Sequence, residues 1–300
     1  MPLNAKKWLV GMVATTMVLP TGIAHAAPEP TTHVQINSDK ELFESSKASF
    51  DPSLARTEGL EALRELRGEM WDKNPAFRGY GYEGYDNDLR AAAFKEGIYT
   101  KAQYMDVTID ADYTWIAIQR AYEASEVFAH KRPDGSGIDT ATIDGHGSKN
   151  ESLAADVDSL SEAILKTWGE SELKALKKNK GAWNSDNEHL IQLLHPKMRY
   201  YGFGAVEVRG SEYGTYYAAI SEEKAAGEKA DKDNTPEGEQ TVTLHRAPTE
   251  KEAGKRAEAK AEKSDAANAE DKAQQNTEGA SEDRPFVEVK KLEDIIQPRG

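Results

Sequence analysis

Cysteine is absent from the 300-residue chain, which excludes disulfide bonds as a source of stability. Such a chain must be stabilised by a hydrophobic core, with a bound metal as a further contribution. Basic residues are also few relative to acidic ones, since the formal net charge is −14 at pH 7. Nucleic acids require clustered Lys and Arg against their phosphates, so we expect no nucleic-acid partner.

Several sequence signatures of enzymes are missing as well. The chain contains no H-E-x-x-H, no G-x-S-x-G and no P-loop lysine, which are the usual signatures of zinc peptidases, serine hydrolases and nucleotide-binding proteins. The segment GYGYEG at 79–84 matches the letters of a dinucleotide-binding loop, but no strand pattern precedes it and no helix pattern begins at its last glycine. We interpret it as an aromatic loop.

The longest apolar run is short and lies near the first residue. It covers residues 8–23, which is less than the roughly 20 residues that a membrane span needs. Lysines precede the run, and Ala-His-Ala at 24–26 has the small-x-small pattern of a cleavage site. This pattern predicts an export signal over 1–26 and no transmembrane segment after cleavage. We expect a secreted, extracellular protein, with association with the cell wall as an option.

Composition divides the remaining chain into three parts. Residues 27–55 are polar and lack periodicity, which predicts a spacer. Residues 222–300 are rich in Ala, Lys and Glu, which predicts an acidic low-complexity tail that is either disordered or a solvated single helix. The intervening residues 56–221 have an ordinary composition and predict the folded domain.

Hydrophobic periodicity within the folded domain predicts helices first and strands later. We expect helices within 57–74, 86–97, 110–130, 152–168, 170–179 and 185–196. Aromatic and β-branched runs predict an antiparallel hairpin from 198–210 and 212–222. Helices around a small antiparallel sheet indicate an α+β fold.

Four segments of this domain resemble, in order, the CAP superfamily of secreted proteins, which is named after cysteine-rich secretory protein, antigen 5 and pathogenesis-related 1. The domain is also called SCP-like. The resemblance covers 85–221 and is closest to the extracellular form of Gram-positive bacteria. The segments are IAIQRAYEASEVFAHKRPDGSGIDT, NESLA, LKTWGESELKAL and NEHLIQLLHPKMRYYGFGAV.

The resemblance implies an α-β-α sandwich with a central antiparallel sheet and an open cleft that holds two histidines and two acidic residues. His130 and His189 match the two histidines, and Glu151 matches the first acid. The family spacing places the second acid at Ser171. We prefer Glu172, which assumes one inserted residue, and keep Glu170 as its substitute.

Two imidazoles with nearby carboxylates are suited to a zinc-like metal, with the carboxylates orienting the rings. We therefore expect His130 and His189 to be ligands of Zn²⁺ or another divalent cation. The alternative is a hydrogen-bonded network that braces the cleft without metal. His146 and His195 are interpreted as a loop residue and a helix-end residue.

The resemblance leaves the function open among several classes. The first hypothesis is a non-enzymatic binding module, secreted or displayed on the cell surface, whose partner is a lipid, a peptide or a component of the cell envelope. The second is a metal-dependent, peptidase-like hydrolase in which Glu151 serves as general base.

Overall fold

The computed structural model describes residues 32–226 and 235–278, so the predicted export signal at 1–26 lies outside the described residues. The strands are β1 (Glu44–Phe50), β2 (Thr108–Ile109), β3 (Asn150–Ala155), β4 (Tyr200–Val208), β5 (Thr215–Glu222) and β6 (Gln240–Arg246). The helices are α1 (Leu60–Lys73), α2 (Leu89–Lys95), α3 (Lys101–Met105), α4 (Ala111–Ala124), α5 (Leu160–Glu162), α6 (Ser171–Lys178), α7 (Glu188–Leu194) and α8 (Glu250–Glu278). Two π-helical segments, Ala55–Gly59 and Ala163–Glu170, run directly into α1 and α6.

The strands form one sheet in the order β3-β5-β4-β1-β6, with antiparallel pairing along this path. The short β2 pairs with β4 in parallel. Strands β4 and β5 form the predicted hairpin, with Ala205 opposite Tyr217. The predicted α+β class is therefore confirmed.

Helices cover both faces of the sheet. Successive residues of β4 and β5 belong alternately to two separate buried clusters. Phe203 and Ala219 pack with residues of α1, α6 and α7, whereas Val206 and Ala218 pack with residues of α4. Since successive strand residues point to opposite faces, this alternation places a core on each side of the sheet.

Helix α4 lies directly on the backbone of β4. A Cβ atom added to Gly202 would overlap the backbone of Tyr113, and one added to Gly204 would overlap the backbone of Ala117. Asp110 caps the start of the helix, and its carboxylate accepts hydrogen bonds from the backbone N–H groups of Asp112 and Tyr113. Nearly every residue of α4 is buried, which explains its small and apolar composition.

The structure corrects the predicted limits of the folded domain at both ends. Strand β1 lies within the predicted spacer at 27–55, and β6 lies within the predicted tail at 222–300. The two strands pair along their whole length, with Ala48 opposite Val242. Ala48 and Phe50 of β1 are buried in the cluster that contains α4, and this burial anchors the otherwise polar segment in the sheet.

The predicted tail also contains helix α8, and residues 279–300 lie outside the described residues. Its sequence consists mostly of alanine and charged or polar residues, and ion pairs attach it to the sheet near its first residues. Arg246 bonds to Glu252, and Arg256 bonds to Glu44 of β1. Among the described residues, no helix is both long enough and apolar enough to span a membrane.

One predicted helix is a strand over its first part. The pattern at 152–168 predicts a helix, but β3 covers Asn150–Ala155 and pairs with β5. Leu153 and Ala154 are buried on opposite faces, in separate clusters. Tertiary pairing therefore overrides the helix propensity of this alanine-rich run, and the helix begins only after the side chain of Ser159 caps it.

Candidate functional site

Four side chains from four elements meet at one cleft. His130 follows α4, Glu151 lies on β3, Glu172 on α6 and His189 on α7. His130 Nδ1 lies 3.0 Å from Glu151 Oε1, and His189 Nδ1 lies 2.6 Å from Glu172 Oε1. The Nε2 atoms of the two rings lie 3.4 Å apart. The structure thus brings together the four residues that the sequence resemblance selects.

Glu151 is held by a buried arginine of α4. Arg120 Nε donates to Glu151 Oε2 at 2.5 Å, and its Nη2 donates to Oε1 at 3.2 Å. Both side chains are completely buried. The carboxylate therefore accepts from Arg120 through both oxygens while one of them also contacts His130.

The same arginine belongs to a larger buried ion network. Arg120 also donates to Glu123, which in turn accepts from Arg132. Burial acts to raise the pKa of Glu123, but its ion pairs with Arg132 and Arg120 outweigh burial and keep that pKa below its ordinary value. Arg132 also donates to the carbonyls of Gln35 and Thr140, which fixes the loop that carries His130.

Glu172 is positioned by helix geometry rather than by an arginine. One oxygen contacts His189, and Oε2 accepts from the backbone N–H of Leu190 at 2.8 Å. The carboxylate thereby caps the first turn of α7, where a negative charge is favoured. The side chain of Asn187, at the N-cap position, makes no capping hydrogen bond, and Glu172 supplies one instead.

A π-helical segment lies directly before α6, the helix that carries Glu172. One residue inserted into an α-helix produces a π-helical turn, and Ala163–Glu170 is π-helical immediately before α6. Glu170 is exposed and Glu172 contacts His189, so the structure brings Glu172, not Glu170, to the cleft. The resemblance to the CAP superfamily likewise requires one inserted residue if Glu172 is the second acid.

The hydrogen bonds define which ring nitrogens remain available. With Nδ1 of each ring bonded to a carboxylate, the proton of a neutral imidazole resides on Nδ1 and the lone pair on Nε2. Two such lone pairs would then face each other across 3.4 Å. That arrangement is unfavourable without a cation or a shared proton between His130 and His189.

Glu188 is a third ligand candidate that the sequence reasoning missed. Its Oε1 lies 3.6 Å from His130 Nε2 and 4.0 Å from His189 Nε2. His130, Glu188 and His189 together form a group that could hold a metal ion. The available signal is the pair Glu188-His189 at the start of a helix, where two residue types that bind metals are adjacent in the sequence.

The electrostatics of His130 follow from its carboxylate partner. The hydrogen bond to Glu151 raises the pKa of His130 above its ordinary value, while partial burial acts in the opposite direction. Glu188 also acts to raise the pKa of His130. The site therefore attracts positive charge, whether a proton or a metal.

The cleft beside these residues has a volume of about 260 Å³. Residues that line it include His130, Lys149, Glu151, Trp183, Glu188 and Gln192. Tyr80 of the predicted aromatic loop also lines it, and its ring stacks on His195. The loop thus forms one wall of the cleft.

The other two histidines considered in the sequence lie apart from the four cleft residues. His146 is exposed and pairs with Ile143 through a short backbone bridge. His195 follows α7, is buried and contacts Glu83 at 3.0 Å. Both occupy the loop and helix-end positions that we expect for them.

Comparisons of the chain with protein-family models, with curated proteins and with solved structures find no match. The resemblance to the CAP superfamily therefore stays a prediction, and the geometry of the site carries the functional argument.

Proposed function

We propose that this protein is a secreted or cell-surface binding module of the CAP type, non-enzymatic, whose cleft holds Zn²⁺ or another divalent cation through His130 and His189. One observation carries the proposal. Both rings have Nδ1 bonded to a carboxylate and their Nε2 atoms face each other at 3.4 Å.

The donor chemistry fits zinc. Tetrahedral coordination with Zn–N bonds of about 2.0–2.1 Å places two ligand nitrogens about 3.3–3.4 Å apart. The Nε2 separation of 3.4 Å agrees with that value. Glu151 and Glu172 bond to the opposite ring nitrogens, as carboxylates commonly do behind metal-binding histidines. When bound, the metal would supply a Lewis-acidic anchor for a ligand oxygen.

The environment of Glu151 supports binding rather than catalysis. A general base needs a lone pair that is accessible to the substrate and within reach of the proton that it removes. Glu151 is completely buried and accepts from Arg120 through both oxygens, while also contacting His130. Its role is to orient the His130 ring.

Glu188 favours the second candidate, a metal-dependent hydrolase. Two histidines and one glutamate are the protein ligands of some catalytic zinc sites, which keep the fourth position open. Glu188 supplies the third ligand that this reaction class needs. The hydrolase candidate still lacks an accessible general base, because Glu151, the base that we expect, is completely buried and paired with Arg120.

Zinc binding to the full chain tests the proposal. After treatment with a chelator, the protein should bind about one zinc per chain by calorimetry, and His130→Ala or His189→Ala should each abolish binding. Glu188→Gln should weaken binding by roughly tenfold, since one charged ligand is lost. His146→Ala is the matched control and should bind zinc like the unmodified protein. Absence of zinc binding in the unmodified protein would overturn the proposal.

Turnover separates the two candidates. A panel of peptide, ester and glycan substrates should show no metal-dependent turnover. Turnover that is lost in Glu151→Gln with zinc still bound would show a hydrolase instead.

A further inference from the structure

The cleft contains a buried donor that the metal-binding residues do not use. Gln192 lies on α7, one turn after His189, and only 3 % of its surface is exposed. Its Oε1 accepts from Ser152 Oγ at 2.9 Å. Its Nε2 has no hydrogen-bond partner among the described residues, although its side chain lines the cleft. A buried amide N–H without an acceptor is costly, so this group points to a ligand that accepts a hydrogen bond.

A cation stands at the same cleft. Lys149 lines it, and its side chain is 83 % exposed. Its nearest acidic partner is Asp139, with the two charged atoms 4.0 Å apart, which is the outer limit of an ion pair. The ammonium group is thus available to an anion that enters the cleft.

The fixed negative charges of the cleft are compensated when a divalent metal is bound. Glu151 is paired with Arg120 inside the protein. Glu188 lies at the metal-ligand group and Glu172 lies behind His189, so the two charges of a divalent cation would neutralise both. Without metal, Glu188 would repel an anion, and with metal the cleft presents Gln192 and Lys149 to it.

We propose that this cleft binds a carboxylate group, with Gln192 Nε2 as hydrogen-bond donor and Lys149 as counter-charge, beside a metal held by His130, Glu188 and His189. The inference rests on the proposed metal-binding function and names the ligand chemistry of the same site. A volume of about 260 Å³ admits the end of a ligand rather than a long chain. The carboxylate is therefore that of a small organic acid or the C-terminal group of a peptide.

Calorimetry on the zinc-loaded full chain tests this inference with three probes. The probes are acetate, the dipeptide N-acetyl-Gly-Gly with a free carboxylate, and the same dipeptide with a C-terminal amide. The free-acid peptide should bind at least tenfold more tightly than the amide, because only the acid carries the charge that Lys149 and the metal favour. Acetate binding as tightly as the free-acid peptide would identify a small organic acid as the source, and tighter binding of the peptide would identify a peptide terminus. Both results support the carboxylate site.

Two variants test the named residues. Gln192→Glu keeps an acceptor for Ser152 but replaces the donor by a like charge, so binding of the free-acid peptide should fall at least tenfold while zinc still binds. Lys149→Gln should weaken the peptide several-fold. Its side chain is exposed, so this change leaves folding intact even if Gln192→Glu does not fold. Lys178→Gln, on α6 and outside the cleft lining, is the matched control and should change nothing.

The outcomes distinguish the two proposals. If zinc binds but the acid and the amide bind equally, or neither binds, the carboxylate site is overturned and the metal site stands. If zinc titration alone shows no binding, the metal proposal fails, and the carboxylate site that rests on it fails with it.

Discussion

The two histidine–glutamate pairs of the cleft have the same contact but different supports. In the first pair, Glu151 is completely buried and its charge is balanced by Arg120. In the second pair, Glu172 is partly exposed and is held by the backbone N–H of Leu190. A carboxylate that orients a histidine ring can therefore be held either by a buried ion network or by the first turn of a helix. We expect loss of the buried network to destabilise the fold strongly and loss of the helix-turn contact to destabilise it little.

Removal of Arg120 should have the largest effect. Arg120→Met leaves Glu123 and Glu151 buried with fewer compensating charges, and breaking a buried ion pair costs about 3–5 kcal/mol. Urea unfolding should show that loss. Lys166→Gln breaks only an exposed pair with Glu162 and should leave the urea midpoint of unfolding unchanged. A loss below about 1 kcal/mol for Arg120→Met would contradict the importance of the buried network.

Replacement of either cleft glutamate by glutamine should lower zinc affinity, but only one of the two replacements should lower the stability of the fold strongly. Glu151→Gln and Glu172→Gln should each lower zinc affinity by about 10- to 100-fold, because each orients one ring. The metal-free protein should lose about 1–3 kcal/mol in Glu151→Gln, which leaves Arg120 undercompensated, but less than about 1 kcal/mol in Glu172→Gln. Zinc titration and urea unfolding measure the two effects. A larger loss of stability in Glu172→Gln would reverse the comparison.

The pKa values of His130 and His195 should be shifted in opposite directions, although each ring contacts a glutamate. The hydrogen bond to Glu151 raises the pKa of His130, whereas burial lowers the pKa of His195 in spite of Glu83. In metal-free protein followed by NMR, His130 should therefore protonate above pH 6.5 and His195 below it.

The two shifts have opposite consequences for stability. The contribution of His130 is fully present below pH 6.5 and is lost as the pH rises through its folded-state pKa. The contribution of neutral His195 is present above pH 6.5 and is lost as the pH falls toward its folded-state pKa. A titration order with His195 first from the alkaline side would show that burial does not control His195.

The smallest effect should come from Glu170→Gln. The Glu170 side chain is exposed, and the carboxylate that bonds to His189 is that of Glu172, so zinc affinity should change less than twofold. Calorimetry on this variant beside Glu172→Gln tests whether the π-helical segment selects the second acid. Comparable losses in both variants would show that Glu170 contributes to the site.

Sequence reasoning reached His130, Glu151 and His189 because each lies within a segment with several matching positions. The choice of Glu172 needed an assumed insertion, and only the π-helical geometry supplies its physical reason. Glu188 was missed because its role depends on the distance to His130, from a loop far away in the chain. Spacing alone does not give that distance.

The sequence predicts an element correctly where its hydrophobic periodicity agrees with the strand pairing of the sheet, and fails elsewhere. The hairpin of β4 and β5 follows from its aromatic and β-branched residues. Strand β6, QTVTLHR, has the same alternation, but the low-complexity composition around it concealed the signal. Strand β1 is mostly polar, and only its pairing with β4 and β6 makes it a strand.

The backbone contact of α4 with Gly202 and Gly204 makes the site sensitive to residues that do not touch it. Any side chain at Gly202 would displace α4 as a rigid body, because the obstacle is backbone rather than a movable side chain. Arg120 would move with the helix, and so would the loop that follows it and carries His130. Glu151 would remain with its own strand. The absence of a Cβ atom at Gly202 and Gly204 thus determines how precisely the two halves of the cleft are aligned. Mutational surveys should find these two glycines as intolerant of substitution as the metal-binding residues.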